Sequence, residues 1–196
     1  MSKSDPSAIK SERNKTIRWV VTIFIVTIII SGVISFASDV IMESSSMAVA
    51  FLILMAIVLL GIIFDIIGVA VTSADEKPFH SMAARKVPGG IEAIRLLRNA
   101  ERVSSICNDV VGDICGVVSG SASATIAAQV LRSFEFTWPQ MISLLMSALV
   151  AGLTVGGKAV GKTFAINSCT KIVSSVGKII YFLRHIPELF RKNGNR

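Results

Sequence analysis

Carboxylates, an amide and an amine lie within or directly beside otherwise apolar runs of this sequence, and they are the side chains whose types and spacing bear on chemistry. They are Asp65, Asn108 with its neighbour Asp109, Asp113 and Lys158. If these runs cross a membrane, an ionised side chain at the bilayer centre costs about 2.5–3.5 kcal/mol. Each acid must therefore be paired, protonated, hydrated or bound to a cation, and its oxygens are of the kind that Mg²⁺ and Ca²⁺ prefer.

The residues alone leave two ways of neutralising these acids open. At a rise of 1.5 Å per residue, Asp113 and Asp109 lie about 15 and 9 Å from the start of the third run. Asp65 lies about 14 Å before the short helix predicted after the second run, measured from the same side of the membrane. Similar depth favours one oxygen-lined cation site. Alternatively, Lys158 reaches inward and neutralises one carboxylate. Two further alternatives are that Lys158, near the membrane boundary, extends outward to water, and that Asp109 faces water at the interface.

One motif in the same region suggests a different chemistry. Residues 156–163 (G-G-K-A-V-G-K-T) fit the phosphate-binding pattern G-x-x-x-x-G-K-[ST] without a mismatch. That loop functions between a buried strand and a helix of an α/β domain. Here an apolar span precedes it and no alternating strand–helix pattern surrounds it, so we do not expect ATP binding.

Small residues recur at every fourth position in two of the runs. Helices in lipid gain no hydrophobic free energy by associating, so small residues that allow close backbone contact are what hold a bundle together. We expect this glycine face to pack against a helix of the same chain or of a partner chain. It comprises Gly112, Gly116, Gly120, Gly152 and Gly156.

The composition explains why these runs are assigned to a membrane. Of 196 residues, 52% are apolar and 17% are charged, whereas soluble domains carry about 25% charged residues. About 20 apolar residues cross the hydrocarbon core. Four runs are long enough, and they comprise residues 19–37, 47–64, 103–130 and 136–155.

Basic residues are distributed unevenly between the segments that connect these runs. They concentrate in residues 1–18, in the loop after the second run and in the tail, whereas the hairpin at 38–46 has no Lys or Arg. The positive-inside rule then predicts a plasma (inner) membrane protein with both termini in the cytoplasm. The net charge of +7 lies on one leaflet, which argues for contact with the lipid bilayer and against nucleic acid.

The predicted fold class is an all-α membrane protein, with four transmembrane helices and amphipathic juxtamembrane helices. The first helix occupies residues 19–42, the juxtamembrane helices lie within 74–102, and a basic amphipathic tail helix occupies 163–196. Basic amphipathic helices lie along anionic membrane surfaces or pack on protein. No nucleophile–base or metal-ligand spacing is present around His80 or His185, so we do not expect an enzyme.

Four short motifs occur in an order that resembles a known family. They are F-D-I-I-G-V-A-V-T-S at 64–73, L-L-R-N-A-E-R at 96–102, V-G-D at 111–113 and G-K-A-V-G-K-T at 157–163. These resemble F-S-x-x-E-T-A-L-T-S, L-L-x-N-P-[DE]-R, hydrophobic-G-N and G-E-I-I-P-K-S in the transmembrane domain of the cyclin M / CorB / CorC family of magnesium transport proteins. The resemblance covers about half of the chain.

This resemblance implies a core of three helices with a belt of juxtamembrane helices, here residues 43–162. It also implies a homodimer and a central polar cavity that binds dehydrated Mg²⁺. Residues 19–42 are then an added first helix, which places the N-terminus inside the cell.

The family's ion ligands are a serine, an asparagine and a glutamate, which correspond here to Asp65, Asp113 and Lys158. A different gap places Asn108 in the asparagine position, although Asp113 better preserves the distance to Lys158. One hypothesis is transport of a divalent cation, with Asp65 and Asp113 as ligands and Asn108 or Asp109 lining the path. The other is a non-transporting membrane scaffold or partner subunit whose ion site is filled by Lys158.

Overall fold

The computed structural model describes residues 6–43, 45–133 and 138–193, and these are almost entirely helical with no strand. The predicted all-α membrane fold is therefore confirmed. The helices are α1 (Pro6–Glu43), α2 (Met47–Ser73), α3 (Lys77–Ala84), α4 (Gly90–Arg98), α5 (Ala100–Ser105), a π-helix (Ile106–Gly112), α6 (Asp113–Ser133), α7 (Pro139–Asn167) and α8 (Cys169–Asn193).

Four described segments are long and apolar enough to cross a membrane, and they fit an integral, multi-pass membrane protein. They are Thr16–Met42, Met47–Ser73, Ala100–Arg132 and Gln140–Asn167. The first three predicted runs lie inside these segments. The first two residues of the fourth predicted run, 136 and 137, lie outside the described residues. Residues 1–5 of the basic N-terminal segment and 194–196 of the tail also lie outside them.

Helix α2 lies at the centre of the bundle, with α6 and α7 packed on it and on each other, while α1 packs mainly on α6. Near the end of the bundle that carries the hairpin at 38–46, four apolar side chains are buried together: Met42, Leu54, Val58 and Ile126. Large apolar side chains such as Phe36 on α1 instead point outward, 74% exposed. Outward-facing apolar side chains are what a lipid environment requires of a spanning helix.

The opposite end of the bundle holds the juxtamembrane helices. Phe79 of α3, Ala93 and Leu97 of α4, and Val173 of α8 form a buried cluster with Val71 near the end of α2. At the same end the Arg102 guanidinium lies 5.5 Å from the centre of the Trp19 ring. The first and third spans therefore begin at one end of the bundle, as the predicted topology requires.

Several predicted helix boundaries differ from those in the structure, and α1 begins at Pro6 rather than at 19. Within the juxtamembrane segment, the spacing of apolar residues predicts one amphipathic helix over 91–102, but the structure interrupts it at Asn99. The Asn99 Nδ2 donates a hydrogen bond to the carbonyl of Arg95 at 2.9 Å and so terminates α4. Asn and Asp side chains commonly end helices by such local bonds. The tail helix begins at Cys169 rather than at 163, because α7 continues through Asn167 before the chain turns.

The predicted glycine face is packed only in part. No atom of the described residues lies within 4 Å of a Cβ built on Gly116, Gly120, Gly152 or Gly156. The Cβ positions of these four glycines are therefore open in the single chain, although Gly116 and Gly120 line one cleft with residues of α7. Packing against a partner chain stays a prediction. Gly112, the fifth member, faces the interior of the bundle.

Candidate intramembrane ion-pair site

Asp65 of α2 and Lys158 of α7 form an ion pair between the spans. The Lys158 Nζ lies 3.8 Å from the Asp65 Oδ1, and the two side chains retain 25% and 17% of their exposure. This separation is an ionic contact rather than a hydrogen bond. The ammonium therefore points into the bundle, which decides against a lysine that extends outward to water.

Glycine makes room for this ion pair. A Cβ on Gly112 would lie 3.2 Å from the Lys158 Nζ, so a larger residue at 112 would crowd the ammonium. A Cβ on Gly61, one turn before Asp65, would lie 2.9 Å from the Cys115 Cβ. Close approach of the second and third spans at these two glycines brings the third span against the pair.

Asn108 lies inside the bundle, against α2. Its Nδ2 donates to the Ser104 Oγ at 3.2 Å, and a Cβ on Gly68 would overlap its Oδ1. The Oδ1 is buried and has no hydrogen-bond partner within the described part of the chain. An orphaned buried acceptor costs about 1–3 kcal/mol of stability.

Asn108 owes its position to the π-helix at Ile106–Gly112. Its wider turn, with i→i+5 hydrogen bonds, changes which residues face inward relative to a continuous α-helix. Such bulges are frequent at functional sites. Sequence reasoning treated this run as a regular α-helix and missed the π-helix, because hydropathy carries no signal for it.

Asp109 and Asp113 are exposed on the outside of the third span. The Asp109 Oδ2 accepts a hydrogen bond from the Ser105 Oγ at 2.7 Å. Since residues on a helix are about 100° apart, Asp113 points away from the bundle when Gly112 and Cys115 face α2. The expected meeting of Asp65 and Asp113 at one ligand site is therefore absent from the single chain.

The described residues do not assemble a carboxylate-rich metal centre. No group of three or more His, Cys, Asp or Glu side chains among them is arranged to hold a metal ion. Asp65 instead faces an ammonium. Metal-ligand roles for Asp65, Asn108, Asp109 and Asp113 stay predictions.

The phosphate-loop pattern at 156–163 lies within a continuous helix, α7. Its backbone N–H groups therefore make helical hydrogen bonds and do not form a loop around a phosphate. Gly157 and Gly161 instead face α2, where a Cβ at either position would contact Ile62 or Ile66. These two glycines serve the packing of α7 on α2.

The chain was also compared with known proteins. No protein-family model, curated protein or solved structure matches it. Resemblance to the cyclin M / CorB / CorC transmembrane domain therefore stays a prediction that rests on the order of short motifs.

Proposed function

We propose that this chain is a non-transporting membrane scaffold or partner subunit, in which Lys158 takes the position that an ion occupies in a transporter. One observation carries this proposal: the Lys158 Nζ lies inside the bundle, 3.8 Å from the Asp65 carboxylate. At an effective dielectric constant of about 20, a divalent ion about 4 Å from an ammonium is repelled by about 8 kcal/mol. A captured cation would therefore have to displace the ammonium.

The proposed scaffold acts as a homodimer. The support is an exposed acid, Asp113, on the same span as Gly116 and Gly120. No described residue lies within 4 Å of a Cβ built on either glycine. A cleft of about 260 Å³ runs beside these glycines between α6 and α7, lined also by Ser147 and Thr154. Lipid tails cannot solvate a carboxylate, whereas a second copy offers serine and threonine hydroxyls and closely packed small residues.

Cation titration of the purified protein tests the absence of an ion site. In phosphatidylcholine nanodiscs, we expect the melting temperature of the wild type to be the same in Mg²⁺ and in Na⁺ of equal ionic strength. Lys158→Glu places two acids opposite each other, so this variant should become stabilised by Mg²⁺. A Mg²⁺ concentration of about 100 times Kd adds about 2.7 kcal/mol to the free energy of unfolding.

Lys162→Glu is the matched control, because Lys162 is an exposed residue one turn further along α7. It makes the same charge change outside the site and should gain no Mg²⁺ dependence. Saturable stabilisation of the wild type by Mg²⁺, lost in Asp113→Asn, would overturn the proposal.

Cation transport is the second candidate, and the Asn108 carbonyl favours it. A buried oxygen with no hydrogen-bond partner among the described residues is a suitable ligand for a hard cation. Uptake into proteoliposomes that contain a Mg²⁺ indicator separates the two functions. A wild-type uptake rate above that of empty liposomes, and reduced in Asn108→Ala, would favour transport.

A further inference from the structure

A basic cleft at the juxtamembrane end of the bundle is used by neither proposed function. It has a volume of about 400 Å³ and lies between the α3–α4 turn, the first turn of α4 and the middle of α8. Small-molecule sites usually have volumes of about 300–1,000 Å³. Its polar lining consists of Lys86, Glu92, Arg95, Tyr181, Arg184 and His185.

Two glycines hold the walls of this cleft together. Gly89 has φ +87 and comes so close to α8 that a Cβ there would lie 2.5 Å from the Lys178 backbone nitrogen. A Cβ on Gly177 would lie 2.6 Å from the Gly89 carbonyl oxygen. Direct backbone contact fixes the start of α4 against α8, so the cleft has a built floor rather than a surface of loose side chains.

The charges on the walls favour an anion. Lys86, Arg95 and Arg184 come from three different elements, and none of them forms an ion pair with a described carboxylate. Glu92 is the one acid in the lining and is buried at 9% exposure. The lining therefore carries a net charge of +2 with His185 neutral, from three cations and one carboxylate.

The backbone of α4 adds to this field. Gly89 precedes the nine-residue helix without a side-chain cap, and Gly89, Ile91 and Glu92 line the cleft. The N–H groups of a first helical turn carry a partial positive charge and bind phosphate and carboxylate groups. On the α8 wall, His185 Nδ1 is hydrogen-bonded to the Tyr181 carbonyl oxygen at 2.8 Å, and the centroids of the His185 and Tyr181 rings lie 4.1 Å apart with their planes tilted by 32°.

The position of the cleft indicates where its ligand comes from. On α8, Ile179, Phe182 and Leu183 are 57–61% exposed, while Lys178 and Arg184 are the basic residues beside them. An amphipathic helix of this kind lies at the boundary between acyl chains and headgroups. The cleft beside it is then at the depth of lipid phosphates.

We propose that this cleft binds a phosphate group, supplied by the headgroup of an anionic phospholipid. Arg95 and Arg184 offer planar guanidinium groups that bind phosphate oxygens in a bidentate manner. Lys86 and the first turn of α4 add single donors. The inference is independent of the Asp65–Lys158 pair, so either one can fail without the other.

Lipid retention by the full chain tests this site. Native mass spectrometry and thermal unfolding are compared in nanodiscs of phosphatidylcholine alone and with added phosphatidylglycerol. We expect the wild type to retain phosphatidylglycerol and to melt at a higher temperature when it is present. Loss of two charged hydrogen-bond donors in Arg95→Gln/Arg184→Gln should weaken this lipid's binding at least about tenfold.

Arg98→Gln/Lys171→Gln is the matched control, because it removes the same charge from exposed positions of α4 and α8 outside the cleft. It should retain the lipid like the wild type. Equal losses in both double variants would overturn the site, since general surface attraction would then explain the binding. Both variants should melt with the wild type in pure phosphatidylcholine, which shows that they are folded.

Inorganic phosphate distinguishes the source of the ligand. Added to phosphatidylcholine nanodiscs, it should give less stabilisation than phosphatidylglycerol does, since it lacks the lipid's anchorage in the bilayer. Equal or greater stabilisation by phosphate, with no effect of phosphatidylglycerol, would overturn the lipid headgroup and assign the cleft to a soluble phosphate.

Discussion

Asp65 and Lys158 neutralise each other within the apolar part of the bundle, and each makes the other tolerable there. Loss of one partner of a buried pair leaves an uncompensated charge, whereas replacement of both by uncharged groups is often neutral. Here the side chains keep 17% and 25% of their exposure, so partial solvation reduces the cost. The coupling free energy between the two side chains therefore measures how strongly they interact.

A double-mutant cycle measures this coupling. We expect Lys158→Met to lower the free energy of unfolding by about 1–3 kcal/mol, because the Asp65 carboxylate loses its counter-charge. Asp65→Asn/Lys158→Met should recover most of that loss. Denaturant unfolding in mixed micelles gives the four values, and strictly additive losses would show that the two side chains do not interact.

At the scale of the elements, the π-helix and the glycines of α2 decide which residues enter the interior. Ile106–Gly112 turns Asn108 toward α2 and leaves Asp109 outside. Gly68 supplies the space that the amide occupies. The fit between an unusual helical turn and one glycine makes this contact sensitive to a single methyl group.

Gly68→Ala tests this fit. The added Cβ overlaps the Asn108 Oδ1, so we expect destabilisation by about 1–3 kcal/mol. Gly68→Ala/Asn108→Ala should relieve most of it by removing the amide. Gly32→Ala is the control, since nothing lies within 4 Å of that Cβ on α1, and its thermal unfolding should match the wild type. Equal effects of the two single changes would contradict tight packing at Gly68.

Across the bundle as a whole, one side of the third span is exposed among the described residues. Asp113, Gly120 and Ala124 are exposed along it, while Ile114 and Val118 on the inner side are buried. A symmetric dimer brings the same stripe of two copies together, since a two-fold interface is self-complementary. Small residues then allow the close contact that lipid-embedded helices need.

Cysteine cross-linking detects this contact. With Cys107, Cys115 and Cys169 replaced by Ser, we expect Gly120→Cys to give an oxidised dimer, because a disulfide needs Cα atoms within about 7 Å. Val33→Cys is the control, since Val33 is 64% exposed on α1, away from the stripe. Cross-linking of the two variants to the same extent would refute a dimer through the glycine stripe.

The physical requirements of a lipid bilayer allowed the number of spans and the all-α fold to be predicted from the sequence. Backbone polar groups in a bilayer must be satisfied within a helix, so apolar runs of sufficient length predicted the four spans of the all-α fold. Because the chain reverses direction at each crossing, the first and third spans begin at the same end of the bundle. The contact between Trp19 and Arg102 at that end follows from the number of spans.

Only the tertiary structure decided what each polar residue meets. Residue spacing placed Asp65 and Asp113 at similar depth, but rotation about the helix axis determines whether they share a site, and a π-helix changes that rotation without altering hydropathy. The sequence alone did not determine whether the Lys158 side chain points into the bundle or out to water. Its inward direction depends on the Asp65 carboxylate of α2 and on the space beside Gly112. The basic cleft arose likewise from a backbone contact between Gly89 and Gly177, residues too far apart in sequence for any local pattern to connect.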